Sequence, residues 1–211
     1  MKREVDLLRF PQIKRQLGTR TEEHRVIARR FDKEFFDGSR DTGYGGYKYD
    51  GRWKRVALRM MLNYGLDIGA TVLDVGCGKG FFVNDCRTAG LRAYGIDVSE
   101  YAIGESIAQD WTMCEDVRDM AAWSMPERKW DLIVSINTLH NLEGQELFDV
   151  LRLLPQCSKQ QYITVDAFRT DEERDRMMAW NLTAKTILHV DKWRELFKRA
   201  GYTGDYGWFI P

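Results

Sequence analysis

Residues 71–80 read Thr71-Val72-Leu73-Asp74-Val75-Gly76-Cys77-Gly78-Lys79-Gly80, and Phe81–Thr88 continues them with a stretch of helical length. An apolar strand that breaks into a glycine turn and reopens as a helix is the opening of a parallel α/β sheet, where a nucleotide-like ligand lies over the first strand-to-helix turn. Glycines are needed there because the backbone must approach the ligand without Cβ clashes. The spacing is G-x-G-x-G. A dinucleotide fingerprint, G-x-G-x-x-G, requires glycine at 81, where helix packs closely on strand, and residue 81 is Phe.

Working outward, the next strand ends in Tyr94-Gly95-Ile96-Asp97-Val98-Ser99, which places Asp97 21 residues after Gly76. A carboxylate there accepts hydrogen bonds from both hydroxyls of a ribose lying across the strand ends, although taken alone it serves equally as a helix cap. Further strands are predicted at 111–114, 132–136, 162–165 and 206–210, with 186–189 as a weaker candidate. Helical stretches separate most of them. The alternation predicts an α/β fold: a Rossmann-like, mostly parallel seven-stranded sheet with helices on both faces.

Upstream, residues 21–36 carry Val26, Ile27, Phe31, Phe35 and Phe36 at roughly helical period after Thr21, a capping residue, and predict one amphipathic helix. Residues 38–51 are too rich in glycine for a regular element yet hold Tyr44, Tyr47 and Tyr49. A second helix follows from Arg52 to about Tyr64. Residues 1–65 thus read as an N-terminal helical cap with a Tyr/Gly-rich lid, part of the same domain as the core at 66–211.

At 211 residues the chain suits one domain and one active site. Lys+Arg and Asp+Glu both number 32, so no global field draws in nucleic acid or a membrane surface. Six bases, Lys2, Arg3, Arg9, Lys14, Arg15 and Arg20, against Glu4 and Asp6 predict a solvated arm. Cys77, Cys86, Cys114 and Cys157 lack metal-site spacing and are expected as buried reduced thiols, with no metal. No apolar run is long enough to span a membrane, and the charged start MKREVDLLRF lacks the apolar stretch of a secretory leader, so a cytoplasmic location is expected.

Asp74 two residues before the first glycine of a G-x-G-x-G turn is the S-adenosylmethionine version of this motif. Together with Gly95-Ile96-Asp97-Val98-Ser99 it makes residues 66–211 resemble the class I S-adenosylmethionine-dependent methyltransferase family. That resemblance implies S-adenosylmethionine as cofactor. It places Asp74 and Gly76, Gly78 and Gly80 around the methionine moiety, Asp97 at the ribose and Val98 against the adenine. Met113-Cys114-Glu115-Asp116-Val117 matches the end of the family's third strand, so Asp116 would accept from the adenine amino group and Val117 would lie beside the ring. Asp131–Leu142 is similar to the fourth strand and its loop, which puts Asn137 near the amino acid end of the cofactor. The whole chain also resembles a branch associated with surface-polysaccharide or specialised small-molecule pathways.

Methyl transfer from a sulfonium needs collinear placement of the acceptor more than it needs a nucleophilic residue. A hydroxyl or ammonium acceptor must still lose a proton. His140, on the loop after the fourth strand, is the candidate base, or else a packing residue; Asp166, at the end of the fifth strand, is the second candidate, or else a helix cap. Tyr47, Tyr49 and Arg52 are candidate contacts to the cofactor's carboxylate end if the loop closes as a lid; otherwise the aromatics glue the cap to the sheet. Tyr44, Trp180 and Asn181 are candidate lining for the acceptor pocket, with core filling as the alternative for Trp180. The expected reaction is transfer of a methyl group to oxygen or nitrogen of a small molecule. An NAD-dependent oxidoreductase and a non-catalytic S-adenosylmethionine-binding module are the rivals. A nucleic-acid methyltransferase is disfavoured, because Asn137-Thr138-Leu139-His140 lacks the proline motif that grips a flipped base.

Overall fold

A computed structural model of the chain describes residues 3–10, 20–119 and 129–211. Among these, the elements in chain order are α1 (Glu22–Ala28), α2 (Lys33–Phe36), α3 (Trp53–Tyr64), β1 (Thr71–Val75), α4 (Phe81–Thr88), β2 (Arg92–Asp97), α5 (Glu100–Gly104), β3 (Thr112–Cys114), β4 (Leu132–Ile136), α6 (Gly144–Cys157), β5 (Gln161–Phe168), α7 (Asp171–Trp180), β6 (Leu188–His189), α8 (Val190–Ala200) and β7 (Asp205–Phe209). The strands form a seven-stranded sheet in the order β3-β2-β1-β4-β5-β6, with β7 also paired to β5. Every described strand pairing is parallel.

Parallel strands connected by helices bury both faces, and the side chains of β1 show it. Leu73 and Val75 join α6 and α8 through Leu151, Leu154, Trp193 and Phe197. Val72 joins α3 and α4 on the other face through Met60, Phe82 and Val83. Each such side chain contributes about 1.5–3 kcal/mol by leaving water. The chain steps outward from β1 to β2 and β3, then returns to the other side of β1 with β4. Strand order therefore reverses between β1 and β4, and the crevice at their carboxyl ends is where an open α/β sheet receives a ligand.

The single helix expected over 21–36 is two. Phe31 takes a left-handed backbone (φ +51°), and Asp32 caps α2 by accepting the Glu34 amide at 2.9 Å. The break turns Phe35 and Phe36 back toward the glycine turn. Thr21 caps α1 as expected.

The basic arm is not uniformly solvated. Arg3 bonds Asp205 at 2.8 Å, and Arg20 lies 5.1 Å over the Trp180 ring; Lys2, Lys14 and Arg15 fall outside the described residues. Cys77 and Cys86 are buried free thiols, whereas Cys114 is exposed at the end of β3 and Cys157 is half-buried. Among the described residues no helix is long and apolar enough to cross a membrane.

Candidate active site

Gly76, Gly78 and Gly80 all have positive φ (+83°, +53° and +69°), conformations that residues with a Cβ rarely adopt. A Cβ at Gly76 would stand 2.0 Å from Thr138 Oγ1, so β1 and β4 close together at the switch point only with glycine there. Gly78 faces a cavity of about 690 Å³ at the carboxyl ends of the strands. Gly80 does not line it. That glycine caps α4, and a Cβ there would meet Ser106 Oγ at 2.4 Å, so its role is to pack the turn rather than to touch a cofactor.

Asp97 holds the turn: its Oδ2 accepts the Gly78 amide at 2.7 Å and its Oδ1 the Ser99 amide at 2.9 Å. Each oxygen keeps a lone pair for a further donor. Burial raises the Asp97 pKa, while the two amides pull it back. Asp74 is buried nearby, and burial, followed by the Asp97 charge, pushes its pKa up to about 8. Asp97 is thus near enough for its charge to hinder ionisation of Asp74, an environment that favours a positively charged ligand.

Val98, Asp116 and Val117 line the cavity beside them. The Asp116 carboxylate is held by Arg118, through Nε at 2.9 and 3.0 Å, and this lowers its pKa. Arg118 also reaches Glu146 at 2.9 Å. Asn137, at the end of β4, has φ +53° and accepts the Thr164 hydroxyl at 2.8 Å, a strained conformation held by its neighbour on β5.

His140 lies in a short 3-10 turn and is buried. Its Nδ1 accepts the backbone N–H of Asp166 at 2.9 Å. A backbone amide can only donate, so the lone pair is on Nδ1 and the proton on Nε2; Asp166 Oδ1, 3.4 Å from Nδ1, is then not a hydrogen-bond partner. Burial alone lowers the imidazole pKa to about 3. A general base needs an open lone pair and a pKa near the working pH, so this arrangement favours the packing alternative over a histidine base. Both His140 and Asp166 do line the cavity. Asp166 is further anchored by its carbonyl, which accepts the Trp193 indole N–H at 2.9 Å.

The cap closes over the site at three places. Asp37 accepts from Lys79 Nζ at 2.5 Å, from the Tyr101 hydroxyl at 2.6 Å and from the Tyr47 amide at 3.1 Å. The Ser99 hydroxyl donates to the Phe31 carbonyl. Arg25 reaches the Met178 and Asn181 carbonyls at 3.3 and 3.4 Å. Tyr47 stacks on Phe81, ring centroids 4.7 Å apart, and packs at a tilt against Tyr44 at 4.5 Å. Phe81, the residue that departs from the dinucleotide pattern, is thus the ring on which Tyr47 of this loop stacks.

Tyr44, Tyr47 and Arg52 line the cavity, but Tyr49 does not: its hydroxyl donates to Asp85 on α4 at 2.5 Å, which turns the ring away. Arg52 is paired with Asp50. Trp180 packs on Phe209 at the cavity wall. The Asn181 side chain is spent locally, bonding the Ala184 carbonyl and amide at 2.9 and 2.8 Å, so what it offers an acceptor is wall and not a polar handle. Thr138, Asp37, Phe36, Arg30 and Arg40 were not legible as site residues. Phe36 ends α2 and the others sit in turns or loops without motif, and only the folding of the cap onto the sheet brings them here.

A family model described as a methyltransferase domain matches residues 46–206, a span that includes Tyr47, Tyr49 and Arg52. Among solved structures, the chain is similar to an S-adenosylmethionine-dependent methyltransferase from Archaeoglobus fulgidus (22% identity, 80% of this chain and 72% of that one, TM-score 0.52). It is also similar to the YcgJ protein of Bacillus subtilis (14%, 68% and 66%, TM-score 0.55). A third is the plantazolicin methyltransferase BpumL, in complex with a monoazolic desmethylPZN analog and SAH (18%, 83% and 74%, TM-score 0.53). No curated protein matches the chain.

Proposed function

This chain belongs to the methyltransferase domain family, and from that premise we propose that it carries the methyl group of S-adenosylmethionine to an oxygen or nitrogen atom of a small molecule. The observation that carries this reading is the glycine turn at the β1/β4 switch point, tied by its Gly78 amide to Asp97 and open to a cavity large enough for a nucleoside and a second molecule. When bound, the cofactor supplies an electrophilic methyl group on a sulfonium, so catalysis lies mainly in aligning the acceptor. Asp97 takes the ribose hydroxyls on its free lone pairs. Asp74 accepts from the amino group, and Asp116 and Val117 flank the adenine with Val98. Asn137 and Arg52 address the amino acid end. Tyr44 and Tyr47 offer ring faces to the positive charge and exclude water. His140 donates from Nε2 to an acceptor oxygen or lone pair, a positioning contact, and Asp166, whose amide bonds His140, is the candidate to take a proton.

Calorimetry tests this directly. S-adenosylhomocysteine should bind and NAD should not; the opposite result overturns the assignment. At pH 7 about one proton should be released on binding, and affinity should rise between pH 6 and 8, because Asp74, raised to about 8 in the free protein, must ionise to meet the cofactor's ammonium. Asp97→Ala should weaken binding by about 1.5–3 kcal/mol for each bond lost.

A further inference from the structure

Formal charge over the whole chain is zero, yet the lining of the cavity gathers charges of both signs. Along the ends of β1 to β3 stand Asp74, Asp97, Glu115 and Asp116, and the cation on that wall, Arg118, is occupied by Asp116 and Glu146. Residues 20–52 of the cap and the segment after α7 also line the cavity, and they bring arginines. Three of their cations are committed to carboxylates: Arg29 to Glu22 at 3.1 Å, Arg52 to Asp50, and Lys185 to Glu143 at 3.4 Å.

Arg30 and Arg40 are different. Both line the cavity, and neither has a carboxylate partner among the described residues. Arg30 sits in the turn that breaks α1 from α2, and its backbone amide is spent on the Ile27 carbonyl at 3.1 Å. Arg40 lays its side-chain stem across Gly45, so close that a Cβ there would meet its Cγ at 2.7 Å. Gly45 keeps this stem against the lid, and the guanidinium is carried with it. Both are exposed residues that line the cavity, so their guanidiniums are open to a ligand, and their planar fork fits carboxylate or phosphate oxygens best.

We infer that the methyl acceptor carries an anionic group, a carboxylate or phosphate, that Arg30 and Arg40 hold on the cap side of the cavity. The inference rests on the methyltransferase reading above and adds the substrate class to it. An anion held there ties the acceptor to the cap, while His140 and Asp166 face it from the sheet.

The test is calorimetry on the full chain saturated with S-adenosylhomocysteine, using citrate and glucose 6-phosphate as anionic probes and glucose as the neutral control. At least one anionic probe should bind tenfold or more tightly than glucose, and binding should weaken as salt rises. The double variant Arg30→Gln, Arg40→Gln should lose that affinity at least tenfold while binding S-adenosylhomocysteine within twofold of the wild type. Both residues are exposed, and an unchanged melting temperature of the double variant verifies that it is folded. The inference is overturned if neither anion binds, or if both bind wild type and variant alike. It is also overturned if the variant loses S-adenosylhomocysteine instead, since the arginines would then hold the cofactor's own carboxylate. Failure of the wild type to bind S-adenosylhomocysteine would remove the parent reading, an outcome separate from these.

Discussion

His140 shows how one hydrogen bond decides a chemical role. With Nδ1 committed to the Asp166 amide and the imidazole pKa pulled down to about 3, the ring stays neutral across the physiological range and presents Nε2–H as a fixed donor. Turnover should therefore show no ascending limb near pH 6.5 assignable to His140. His140→Gln, which keeps an N–H donor, should remain within about tenfold of wild type, in line with the loss of roughly 0.5–1.5 kcal/mol for a misplaced neutral hydrogen bond. A general base would instead cost about 10²–10⁴-fold on the same substitution. Rates measured from pH 5.5 to 8.5 for both proteins separate the two, and a loss of 10²-fold or more in the Gln variant would restore the base assignment.

At the scale of elements, the segment proposed as a lid is held by side-chain contacts rather than by regular structure. Residues 38–51 form turns and bends, and Asp37 at their start anchors them to Lys79 and Tyr101. Burial alone would raise the Asp37 pKa, but hydrogen bonds from Lys79, Tyr101 and the Tyr47 amide bring it below the ordinary value. Between that anchor and α3, Gly45, Gly46 and Gly51 hold positive φ, so the segment can change shape at low cost. Hydrogen exchange across residues 39–52 should slow when S-adenosylhomocysteine and an anionic acceptor analogue bind together. Asp37→Asn should quicken exchange there in the free protein while leaving the strands protected. Equal exchange with and without ligands would mean that the tyrosines serve as permanent packing between cap and sheet.

For the whole molecule, the N-terminal segment finishes the sheet. Val5 donates to the Tyr206 carbonyl at 2.8 Å and Tyr206 to the Arg3 carbonyl at 3.0 Å, which covers the open edge of β7. The Tyr162 hydroxyl bonds the Val5 carbonyl and the Leu7 amide, both at 3.2 Å, and Arg59 Nε donates to the Leu7 carbonyl at 2.7 Å. Leu7 is buried in the same cluster as α3 and α4. Leu7→Ala should lower the unfolding free energy by about 2 kcal/mol, at the low end for such truncations because a terminal segment can settle into the gap. Urea denaturation reads this. An unchanged midpoint would show that the segment is not part of the cooperative unit.

What the sequence determined by itself is local. A strand, three glycines and an acid at fixed spacing specify a backbone that must pass close to a ligand, and β1, α4 and β4 fall at the predicted residues because their apolar runs and turn residues agree. Asp97, which holds the glycine turn through the Gly78 amide, was legible for the same reason. What only the tertiary structure decided depends on residues far apart in the chain. Tyr49 turned to Asp85, Asn181 spent its amide on Ala184, and Phe31 broke a helix that periodicity alone would have continued. His140 lost its free lone pair to an amide 26 positions away, and Arg30 and Arg40 met the cavity only when the cap folded over the strand ends. Spacing along a chain encodes backbone geometry, whereas the protonation state and the partner of a side chain are set by whichever groups the fold brings within hydrogen-bond reach.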